Sequence, residues 1–85
     1  MVNENTYAMI THYNGQAFLS ARLSLERGET DDAEQSRRDL IGSLATIEGD
    51  EREVSEYMRF LESLRWTSPE KIDEANAKSE ELIAQ

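Results

Sequence analysis

The stretch RGETDDAEQ, from Arg27 to Gln35, constrains the fold more than any other part of the chain. Gly28 can take the left-handed backbone conformation that ends a helix, and Thr30 offers a side-chain oxygen to the free amides of a following one. Asp31, Asp32 and Glu34 then fall near the positive end of that second helix, where acids are stabilising. The stretch therefore predicts a stop, a tight turn and a new start. A second marker is WTSPEKI, where Ser68 precedes Pro69 at a first-turn position and Thr67 with Glu70 makes an alternative capping box. It predicts a short polar helix over 69–84.

Between these markers lies IEGDEREV, residues 47–54, which reads in two ways. Ala33, Leu40, Ile47, Val54 and Leu61 recur every seventh residue, and that apolar phase would suit one long helix over 31–66. The local chemistry favours a corner instead: Gly49 suits a helix C-cap, Asp50 an N-cap, and Glu53 the far position of a capping box. If the chain folds back there, residues whose numbers sum to about 99 become neighbours across an antiparallel pair. Arg37 then meets Glu62, Ala33 meets Trp66, and a charge on an apolar stripe gains the partner that burial demands.

Asn14-Gly15, between two apolar segments, is a strong short-range β-hairpin signal. The composition of AFLSARLSLER, rich in helix formers, and the marginal stability of an isolated two-stranded ribbon favour a helix over 5–27. The expected fold is thus all-α, a small antiparallel bundle of three to four helices near 5–27, 31–48, 51–66 and 69–84. The long 31–66 helix is the competing architecture, and a short N-terminal hairpin the minor alternative. Residues 1–85 form one domain in this reading. Residues 67–85 are expected to pack loosely at its periphery, because their apolar face reduces to Ile72, Ala75, Leu82 and Ile83.

Eighty-five residues without a cysteine can use neither disulfides nor thiolate metal sites to reinforce a small core. His12 is the only histidine, and no nucleotide-binding glycine pattern, nucleophile elbow or calcium-loop spacing is present. Asp31, Asp32 and Glu34 are explained by helix capping, and Glu34 with Arg38 by an i,i+4 ion pair. No catalytic residue, cofactor or metal is expected, and the chain is read as a non-enzyme.

The net charge of -9 is uneven. Residues 28–53 hold nine acids and three bases, residues 67–85 five acids and two bases, and the remaining segments balance. That sign argues against direct binding to nucleic acid or an anionic membrane and favours a basic protein surface, a nucleic-acid-binding protein included. No apolar run approaches the roughly 20 residues that span a bilayer, and the polar start MVNENT predicts a cytoplasmic protein. At the corner, Asp50, Glu51 and Glu53 would form an exposed acidic tip.

Two apolar surpluses complete the reading: Tyr57, Phe60 and Leu64 on the third helix, and Met9, Leu19 and Leu23 on the first. Both invite self-association, most simply a two-fold dimer, or a stable hetero-complex. The function expected is a non-catalytic interaction module, a regulator, adaptor or inhibitor of a larger protein. A self-assembling structural subunit is the alternative.

Overall fold

The computed structural model describes residues 2–84, which form four α-helices: α1 (Glu4–Glu26), α2 (Thr30–Leu44), α3 (Glu51–Ser63) and α4 (Pro69–Ala84). Asn3 caps α1, its side chain accepting the Thr6 amide at 2.9 Å. Asn14-Gly15 lies inside this helix, so helix propensity prevails over the hairpin signal. The helix ends in a Schellman motif: the Glu29 amide donates to the Ser24 carbonyl, the Gly28 amide to that of Leu25, and Gly28 takes φ 74°. Thr30 is not the cap. It is the first helical residue, and Glu29 ahead of it makes no side-chain capping bond.

The IEGDEREV stretch is a corner, which disposes of the long 31–66 helix. α2 stops at Leu44, earlier than the expected 48, and two tight turns follow, Thr46 N–H to Ser43 O and Ile47 N–H to Leu44 O. They return Ile47 to the core. Gly49 is therefore not a helix C-cap but the reversal itself, at φ 107°, where an added Cβ would also come within 3.3 Å of Asn3 Nδ2. The expected Asp50–Glu53 capping box does not form. Asp50 instead accepts the Asn3 amide at 2.8 Å, and the Glu51 carboxylate accepts the Gly49 amide at 3.0 Å.

Each helix packs on its neighbour in sequence, with α1–α2 the most extensive pairing, and α4 closes the ring against α1. The heptad residues Ala33, Leu40, Ile47, Val54 and Leu61 are all buried, joined by Trp66, Leu44 and Ile72. α3 ends at Ser63 and not at 66, since Leu64 turns extended so that Trp66 can enter the core against Phe18, ring centroids 5.4 Å apart.

Arg37 is buried, but Glu62 is not its partner, nor does Glu34 pair with Arg38. Its guanidinium meets Glu34 at 2.8 Å and donates to the Leu61 carbonyl at 2.6 Å, while the other Glu34 oxygen accepts the Trp66 amide at 2.8 Å. The expected pairing across the corner is thus met to within one residue, with backbone groups in place of Glu62.

α4 packs against the core through one face. Ile72 and Ala75 are fully buried, Ser79, Leu82 and Ile83 nearly so, and Arg22 of α1 pairs with Asp73. Its few apolar residues suffice because they fall on one stripe that faces both α1 and α3.

Candidate functional site

At the centre of the bundle, three polar side chains from three helices meet. The Tyr57 hydroxyl donates to Asn14 Oδ1 at 2.8 Å, and Asn14 Nδ2 donates to Ser79 Oγ at 2.8 Å. Burial pushes the Tyr57 hydroxyl well above its ordinary pKa of 10, against the pull of its Ser79 and Asn14 partners. The network links α1 to α3 across the core, and its Asn14 and Ser79 also line a cleft of about 380 Å³ between α1 and α4. Tyr7, Phe18 and Ile83 supply apolar walls, and Glu80 stands on the rim. The cleft holds no nucleophile activated by a base. Among the described residues, no group of three His, Asp or Glu side chains is placed to hold a metal ion.

The apolar stripe predicted on α3 is not an open surface. Tyr57 is 1 % exposed, because its hydroxyl has partners deep in the bundle, so it cannot touch a partner protein. Phe60 and Leu64 are half-buried against the core, and Lys78 lies over the Phe60 ring at 5.8 Å. Met9 on α1 is likewise half-buried. Leu19 and Leu23 are the residues of that set left open to solvent, 61 % and 41 % exposed. Periodicity identified which face each residue occupies, but not how deep it sits.

The acidic tip is also rearranged. The Asn3 amide, first among several causes, and the nearby Thr6 hydroxyl hold the Asp50 carboxyl below its ordinary pKa of 3.8. Glu51 is engaged with its own turn, leaving Glu53 as the tip acid with no partner among the described residues. The antiparallel order of the helices brings further acids beside it. The first turns of α1, the corner with the start of α3, and the last turns of α4 lie at one end of a bundle 37 Å long. Glu4, Glu48, Asp50, Glu51, Glu53, Glu56, Glu80 and Glu81 share that end with only Arg52 and Lys78. Both bases are committed, Arg52 to Glu56 at 3.7 Å and Lys78 to Glu81 at 3.9 Å.

Sequence reasoning named Asp50, Glu51 and Glu53 and missed Glu4, Glu48, Glu56, Glu80 and Glu81 as members of this group. Glu4, Glu80 and Glu81 join the corner only once α1 and α4 run antiparallel, an arrangement that no local pattern encodes. Comparison with protein families, with curated proteins and with solved structures finds no match. No helix of the structure is long and apolar enough to cross a membrane.

Proposed function

We propose that the protein is a non-catalytic interaction module that binds a larger protein through the acidic end of its bundle, a regulator, adaptor or inhibitor in kind. The observation that carries this reading is the concentration of eight acids against two bases, both already paired, at one end of the molecule. Such an end draws in a basic surface from a distance and repels an acidic one. The complementary partner is a protein with a cluster of Lys and Arg, as on proteins that handle nucleic acid. Glu48, Glu53 and Glu80 make no ion pair among the described residues, so neutralising them removes charge without dismantling the corner.

The test is capture from a native lysate by the Glu48→Gln/Glu53→Gln/Glu80→Gln protein beside a charge-matched control, Glu62→Gln/Glu70→Gln/Glu74→Gln, altered at the other end. Proteins retained by the wild type and the control but lost by the first variant support the reading. Equal retention by both variants would refute it.

A further inference from the structure

The 17 residues from Asn5 to Ala21 contain no Asp, Glu, Lys or Arg, in a chain of which 32 % is charged. This neutral span forms most of α1, and its outward face carries Ala8, His12, Gly15, Gln16, Leu19 and, just beyond the span, Leu23. A basic partner finds no carboxylate on this face. Two copies of a molecule of charge -9, by contrast, can approach one another here without opposing acids.

The face is complementary to itself when inverted. Its large residues, Leu19 and Leu23, lie in the C-terminal half, and a small one, Ala8, in the N-terminal half. Antiparallel pairing about a two-fold axis between Gly15 and Gln16 sets Leu23 over Ala8 and Leu19 over His12. Gly15 sits at the crossing, and where its Cβ would stand there is nothing within 4 Å. A mid-helix glycine costs about 1 kcal/mol relative to alanine, and here it leaves room for a second backbone to come close. The same pairing puts Glu4 of each copy opposite Arg27 of the other, joining opposite charges at both ends. It also holds the two acidic ends roughly 35 Å apart, far beyond the screening length of about 8 Å at physiological salt.

We propose that the protein forms a two-fold dimer through α1, antiparallel about Gly15 and Gln16. A strip about 34 Å long and 10 Å wide buries roughly 700 Å² in all, below the roughly 1,200 Å² of a stable complex, so the dimer exchanges with monomer as concentration changes. This interface is separate from the acidic end, and substitutions on the two surfaces distinguish them.

Sedimentation equilibrium tests the proposal. The wild type should shift from monomer to dimer mass with concentration. Leu19→Glu/Leu23→Glu should weaken the dimer at least tenfold with its helical circular dichroism retained, while the exposed control Ala77→Glu should change it little. Because the chain lacks cysteine, introduced ones report the register. Gln16→Cys should cross-link to itself, and Ala8→Cys should cross-link to Leu23→Cys but not to itself, since two copies of position 8 lie about 22 Å apart along the axis. Monomer mass at all concentrations, self-linking of Ala8→Cys, or a dimer that survives the double glutamate substitution would overturn the proposal. So would monomeric wild type whose partner capture is lost in the Leu19→Glu/Leu23→Glu protein, for the face would then belong to that partner.

Discussion

The two ends of this bundle carry nearly the same number of acids and behave differently. Around the α2–α3 corner, eight acids meet two bases. Around the RGETDDA turn and the α3–α4 link, in residues 19–38 and 59–76, nine acids meet seven bases. At that balanced end the charges are built into the structure: Arg37 and Glu34 are nearly buried and bonded to the backbone of α3 and of the link that follows it, and Arg22 joins α1 to α4 through Asp73. At the acidic end they are mostly spectators of the fold. Net charge along the sequence is thus a poor guide to the field of the molecule, because folding pairs some acids and strands others.

The sharpest break of this comparison is a pair of arginine truncations. Arg37→Ala leaves Glu34 and the Leu61 carbonyl without their partner in a nearly dry site, and should cost about 3–5 kcal/mol in urea unfolding. Arg52→Ala, 87 % exposed, should change stability by less than about 0.5 kcal/mol. Equal losses would erase the distinction between structural and stranded charge.

Tyr57→Phe comes next, since it deprives buried Asn14 Oδ1 of its donor midway between the two ends, at about 1–3 kcal/mol. The raised folded-state pKa of Tyr57 fixes the pH dependence of its contribution. Stability is fully present below the unfolded value near 10 and falls as pH climbs toward the folded one. In the phenylalanine variant, the alkaline limb of a stability-against-pH curve should flatten.

Asp50 sharpens the contrast within the acidic end, for it is the acid there that clips the chain start to the corner. Its pKa is depressed on folding, so its contribution is present above 3.8 and vanishes as pH drops through the lower folded value. Asp50→Asn should lower the thermal midpoint at neutral pH and reduce its fall on acidification. The smallest effect is expected from Glu48→Gln/Glu53→Gln/Glu80→Gln, which relieves self-repulsion. Stability should rise by a few tenths of a kcal/mol, and its dependence on salt should weaken.

The punctuation of the helices was legible because Gly28 and Pro69 act through their own backbones, which neighbours do not alter. The corner was ambiguous because Ala33, Leu40, Ile47, Val54 and Leu61 keep one phase across it. Two helices that share a core preserve the same apolar rhythm as one helix facing a partner, and only Gly49 with its acidic neighbours argued otherwise. Tyr57 was misassigned to a surface because a phenol with partners on two other helices can be buried, and those partners lie far along the chain. Leu19 and Leu23 could be read as surplus, since α1 already had a full stripe of inward residues on its other side.

The order of packing around the ring has a kinetic consequence. Three of the four broad helix pairings join helices adjacent in the chain, which keeps most loop closure short and places the protein among fast folders, on microsecond to millisecond times. The exception is α4 against α1, which closes the longest loop and rests on the Asn14–Ser79 bond and the Arg22–Asp73 pair. That seam should be among the last to form and the first to reopen, so that amides of α4 exchange with solvent through partial openings while those of α1 and α2 wait for the whole molecule to unfold.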